Sequence, residues 1–189
     1  MAFYVSGNKS GGWQLLDTSS ITSASVAPTF GSSAIFTSDY DQYKIVVTGL
    51  TTGQSGQNNY FKMKINDSLK SADYSYATTE YKSDVASGAG ALEDVCSNSA
   101  SKIRITAGNN PPPGHFTSLQ MYTHSPTSTT EYKSIYFEGA GHQSAGVRMG
   151  WGLGAYRGNY NEPLTGITFV RENDGDFQAG KFQIYGLLN

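Results

Sequence analysis

The sequence predicts an all-β fold, an antiparallel sandwich or barrel. Three observations predict it. First, segment after segment alternates apolar and polar residues with period two, the signature of strands with one face inward. Second, about ten to twelve such segments recur with turn-forming residues between them, the rhythm of sandwiches and barrels. Third, no stretch carries the 3.6-residue apolar period of a crossover helix, which excludes a parallel α/β sheet. At 189 residues the length fits one domain, here residues 13–189 behind a short arm over residues 1–12.

The elements follow in order. Residues 13–17 (Trp-Gln-Leu-Leu-Asp) read as a first strand, 21–26 as a second and 34–36 as a short third. Tyr43, Ile45 and Val47 then alternate with Lys44, Val46 and Thr48; both faces hold apolar groups, as in a central strand. Residues 51–59 are a polar loop. Phe61, Met63 and Ile65 alternate with Tyr60, Lys62 and Lys64, so one side faces core and the other water. Residues 66–91 are the least regular stretch, with strand over 73–77 and 80–82, room for a helical turn, and a Gly/Ala/Ser tip at 87–91. Residues 95–97 and 103–106 read as strands. The three prolines at 111–113 demand a loop, because proline donates nothing to a ladder.

The second half is plainer. Strands are predicted around Leu119 and Met121, around Ile135 and Phe137, and around Ile167 and Phe169, with a last one over 181–188. Val147, Met149, Trp151 and Leu153 interleave with Arg148, Gly150, Gly152 and Gly154. One face of that strand is bulky and the other nearly bare. Strand glycines often mark close approach of another group, so large side chains, tyrosines among them, are expected to lie flat on the bare face. Asp174-Gly175 makes a turn before the final strand.

Composition limits the partners. The formal net charge is −2 and charged residues make up only 15%, against an average of about 25%. No basic patch is visible to neutralise phosphates, so nucleic acid is not expected as a partner. No stretch approaches the ~20 apolar residues that cross a bilayer, and the start of the chain lacks the basic and apolar regions of a secretory signal. Cys96 is the single cysteine, so no intrachain disulfide forms. Neither cofactor nor metal is expected.

No reaction centre stands out. His115, His124 and His142 are widely separated and form no ligand pair. Hydrolysis of a glycan needs two carboxylates across a cleft; Glu93, Asp94, Glu131, Glu138, Glu162 and Glu172 supply acids without a recognisable setting. Asp174 and Asp176, on one turn with Asn173, are the best calcium candidates, though the same residues make a good turn. Tyrosines in Ser/Thr/Gly/Asn-rich segments draw more attention. Tyr74, Tyr76, Tyr156, Arg157 and Tyr160 combine rings, a guanidinium and nearby amides, the ingredients of a glycan or partner surface. The arm contributes a short apolar anchor, Phe3-Tyr4-Val5, on a glycine-rich tether.

Residues 13–17, the run Phe36-Thr37-Ser38-Asp39-Tyr40-Asp41-Gln42-Tyr43-Lys44-Ile45-Val46-Val47, the strand Phe61–Ile65 and the close Phe177–Leu187 with its Tyr185-Gly186-Leu187 follow one another in an order that resembles small β-sandwich virion proteins of tailed phages, of cyanophage and marine-phage type. These are capsid-decorating or tail-fibre-like proteins. The resemblance implies a jelly-roll-like fold, a virion location after synthesis in the host cytoplasm, other virion proteins as partners and symmetric association, a trimer first. It carries no catalytic residues across. The expected function is therefore non-enzymatic: a virion structural protein anchored by Phe3, Tyr4 and Val5. Two alternatives stand beside it, a lectin-like host-recognition module and a surface-glycan hydrolase.

Overall fold

The computed structural model describes residues 12–53, 58–84, 89–105, 116–143 and 146–188, which hold thirteen strands and no helix. They are β1 (Trp13–Ile21), β2 (Thr29–Phe30), β3 (Gln42–Thr52), β4 (Asn59–Ile65), β5 (Ser68–Leu69), β6 (Tyr74–Asp84), β7 (Ala89–Ala100), β8 (Ile103–Arg104), β9 (Phe116–His124), β10 (Lys133–Gln143), β11 (Gly146–Tyr156), β12 (Leu164–Arg171) and β13 (Phe177–Leu187). Eight form one sheet in the order β1-β13-β3-β9-β10-β11-β6-β7. Five form the other, in the order β2-β12-β4-β5, with β8 also pairing β4. Every pairing is antiparallel.

Setting aside the hairpins β6–β7 and β10–β11 reveals the connectivity. In the large sheet, β1 lies beside β13, β13 beside β3 and β3 beside β9. In the small sheet, β2 lies beside β12, β12 beside β4, and β4 beside β5 and β8. The chain crosses between sheets at every step except those among β4, β5 and β8, which stay in the small sheet. That is the double Greek key of a jelly roll. The two extra hairpins widen only the large sheet.

The sheets bury one shared core. Tyr43, Ile45 and Val47 of β3, Met121 of β9, Ile135 and Phe137 of β10, and Phe182 and Ile184 of β13 meet Phe30, Phe61, Met63, Ile167 and Phe169 of the small sheet. Phe30 stacks on Phe182 with centroids 3.4 Å apart, and Phe61 meets Phe137 edge-on at 5.7 Å. A bulge between Val47 and Leu50, with Gly49 at φ 63°, returns Leu50 to the inner face despite the odd spacing. All eight residues of β12 are buried, and the strand lies between β2 and β4 in the small sheet.

Local differences from the sequence expectations have local causes. The second strand expected at 21–26 is the end of β1 followed by an isolated bridge, Ser25 to Phe177. Residues 34–36 turn rather than extend: the Phe36 and Ile35 amides both donate to Ser32 O, and this drops the Phe36 ring into the core. The irregular stretch 66–91 opens with a hairpin. Asn66 (φ 49°) and Asp67 (φ 59°) sit in consecutive left-handed positions, the signature of a type I′ turn, between β4 and β5. No helical turn occurs among its described residues. Ala89 to Ala91, expected at a tip, begin the twelve-residue strand β7. Its Gly/Ala/Ser start hid it from propensity.

Candidate functional site

The register of the large sheet lines up outward side chains in rows that cross the strands. One row is Tyr185, Lys44, Tyr122, Tyr136, Leu153, Ala77 and Cys96. The next is Val46, Gln120, Glu138, Trp151, Thr79 and Asp94. The third is Ser118, Ala140, Met149, Tyr81 and Leu92, with Val147 beyond it. The first row is aromatic at its centre. The second is polar apart from Val46 and Trp151. The third is apolar over β11, β6 and β7.

The β11 face decides this arrangement. Val147, Met149, Trp151 and Leu153 point to solvent, each between 45% and 55% exposed. The bare face points into the core, and what lies on it is not tyrosine. A Cβ at Gly152 would sit 2.7 Å from the Phe137 ring, and one at Gly154 would sit 2.5 Å from Ile103. The glycines admit Phe137 and Ile103 to the core and leave the bulky residues outside.

Two grooves of about 400 Å³ each flank Trp151 on this outer face. One runs toward β3 over Gln120, Glu138 and Tyr136; the other runs toward β7 over Thr79, Asp94 and Cys96. Tyr136 and Trp151 line both. The polar groups are oriented by their neighbours. Tyr122 Oη donates to Gln120 Oε1 at 2.9 Å, Tyr136 Oη to Glu138 Oε2 at 3.2 Å, and Thr79 Oγ1 to Asp94 Oδ1 at 2.6 Å. Desolvation and then the Glu138 carboxylate hold the Tyr122 and Tyr136 phenols above their ordinary range, so both stay protonated donors. No Lys or Arg lines either groove.

A second polar cluster sits on the inner face of β6, β7 and β11, beside β8 of the small sheet. Glu80 of β6 stands opposite Glu93 of β7. Arg148 Nη1 donates to Glu80 Oε1 at 3.0 Å, Lys82 pairs with Glu93, and Arg104 lies 4.0 Å from Glu93. Burial pushes the Glu80 carboxyl up, with Arg148 opposing. These acids are tied up in ion pairs rather than presented to a ligand.

The sequence-derived candidates scatter. Tyr74 is fully buried: its hydroxyl accepts from Met63 N at 2.7 Å and donates to Lys70 O at 3.1 Å, and burial drives its phenol far above the usual value. Tyr156 packs on it at 5.6 Å and is also buried. Neither faces a glycan; both are core. Tyr76 is half-buried on the inner face, its phenol raised by desolvation against the pull of Arg104. Arg157 is exposed and spans to Asn98 O. Tyr160 is exposed and meets Tyr132 edge-on at 5.8 Å. Its carbonyl is one of three that hold the buried Lys133 ammonium, at 2.9 Å, with Ser128 O at 2.5 Å and Glu131 O at 3.1 Å. Asp174 lies exposed in the β12–β13 turn at φ 54°, while Asp176 accepts from Gln178 and from the buried Arg171. Among the described residues no three His, Cys, Asp or Glu converge as metal ligands. Phe3, Tyr4, Val5 and His115 lie outside the described residues.

What the sequence reading missed is the outer face. Its signal was present in the Val147–Leu153 alternation and in Tyr136 and Glu138, but only the register joins them across strands. No protein-family model and no curated protein matches the chain. Among solved structures it is similar to a chain of infectious bursal disease virus, Gt strain, at 15% identity, over 91% of this chain and 42% of that one, with a TM-score of 0.15. An overlap of that size carries no argument about fold or function.

Proposed function

We propose that this chain is a non-catalytic structural protein of a virion, a capsid-decoration or tail-appendage subunit, that docks on the particle, associates with its own copies and holds its jelly roll outward. The phage character of this reading rests on the resemblance of the sequence. One observation carries the adhesive character: β11 turns Val147 and Met149 out of the molecule, next to Tyr81 and the 68%-exposed Leu92. A contiguous outward apolar patch of this kind marks a contact surface. The acids support the same side. Glu138 and Asp94 share a row but stand three strand spacings apart, ~14 Å, wider than the ~5–9.5 Å of glycosidase pairs.

The expected outcome in solution is a symmetric oligomer by analytical ultracentrifugation, dissociated to monomer by Val147→Glu combined with Leu92→Glu. On particles, a chain lacking residues 1–12 should fold and yet be missing from purified virions by mass spectrometry. A monomeric wild type, together with a truncated chain that incorporates normally, sinks the reading.

A further inference from the structure

We infer that the two grooves on either side of Trp151 form one cross-strand binding site for an uncharged oligosaccharide. The inference rests on the non-catalytic, outward-displayed reading above and names what the middle row of the face binds.

A sugar ring presents an apolar C–H face and an edge of hydroxyls. A complementary site needs exposed ring faces and, beside them, polar groups already held in place. The middle row has this composition. Trp151 is 45% exposed and Tyr136 is 41% exposed. Gln120 and Glu138 lie along one groove and Thr79 and Asp94 along the other. Each of these polar groups has one atom fixed by a neighbour. Gln120 keeps its NH2, and Glu138 and Asp94 each keep a carboxylate oxygen, for ligand hydroxyls. A carboxylate accepts only, so it asks for donors such as paired sugar hydroxyls.

Charge decides the class of occupant. Both grooves carry a carboxylate and neither is lined by Lys or Arg. A sulfated chain, a polyuronate or a phosphate-bearing ligand would meet a carboxylate and no lining cation in either groove. A purely apolar protein partner would bury the remaining carboxylate oxygens of Glu138 and Asp94 and the Gln120 NH2 unsatisfied, at a cost of about 1–3 kcal/mol for each group. An uncharged, hydroxyl-rich chain meets both conditions. The row from β3 to β7 spans five strand spacings, ~24 Å, enough for several sugar rings laid across the strands.

Other aromatic features fit less well. Lys44 Nζ lies over Trp13 at 4.9 Å and over Tyr185 at 5.3 Å, so those rings already face a cation. The Tyr132–Tyr160 pair lies next to the Lys133 cage in loops, away from both grooves.

The test is titration calorimetry of the full chain with maltohexaose, cellohexaose, laminarihexaose and a mixed galactose–mannose hexasaccharide. Heparin and polygalacturonate serve as charged controls. At least one neutral probe should bind. Trp151→Ala should weaken that binding at least tenfold, and Gln120→Ala several-fold, both with the β-sheet circular dichroism of the wild type retained. Tyr160→Ala and Val147→Glu should leave it intact. Binding to the charged polymers alone, no binding to any neutral probe, or binding that survives Trp151→Ala overturns the inference. Release of reducing ends from a bound probe would overturn the non-catalytic reading and leave the site standing. Loss of oligomers in the Val147→Glu, Leu92→Glu double variant with glycan affinity retained supports two distinct surfaces.

Discussion

Gly152 shows how one missing atom sets the character of a whole face. A methyl there would stand 2.7 Å from Phe137 Cζ, 2.7 Å from Thr78 Cγ2 and 2.8 Å from the Ala77 carbonyl. Backbone is one of the three, so the neighbours have little room to give. Gly152→Ala should cost about 1–3 kcal/mol by overpacking, read as a lowered midpoint in urea. The alternation was legible in the sequence; which side faced in was not. Period two divides residues between two faces, and the side chains of Phe137 and Ile103, far off in the chain, decide which face is filled. For the same reason Tyr74 and Tyr156 look alike in sequence to Tyr160, although the first two lie in the core and the third in solvent.

Among elements, the joint between β9, β10 and β12 depends on a lysine. Lys133 is 1% exposed at the start of β10, and its ammonium gathers the carbonyls of Ser128, Glu131 and Tyr160. Two loops, 125–132 and 157–163, are pinned together by that one charge. Burial pulls its pKa down, with Glu131 opposing, yet three carbonyl contacts hold the cation in place. Lys133→Met would orphan those carbonyls. The expected loss is about 2–4 kcal/mol in chemical unfolding, with faster amide exchange confined to the two loops. Strand positions at this scale were largely readable from alternation in β3, β4, β9, β10 and β13. Strands β2 and β5 were not, since two residues show no period, and neither was the length of β7, although 103–106 had marked β8.

The molecule as a whole is a jelly roll with one sheet widened by two hairpins, and the widening creates both the outer rows and an inner corner of paired charges. Glu80, Glu93, Lys82, Arg104 and Arg148 fill that corner. Because burial raises the Glu80 carboxyl above its ordinary 4.5, the folded state holds its proton more tightly than the unfolded chain does. The stabilisation this provides is complete below pH 4.5 and fades as pH climbs through the folded value. Glu80→Gln, neutral throughout, should flatten that part of the stability curve; thermal melts across the mildly acidic range check it, and an unchanged slope would tell against the assignment. The sheet class was plain from the sequence, whereas the two-sheet partition was not, because strand order is a property of pairing and not of any one segment. At the other edge of the large sheet β1 runs beside β13, and the Leu188 amide donates to Gly12 O at 3.2 Å. The backbone therefore enters and departs at adjacent points. A domain wired this way can be grafted into a loop of a foreign scaffold, or cyclised and reopened elsewhere, without parting its first and last strands.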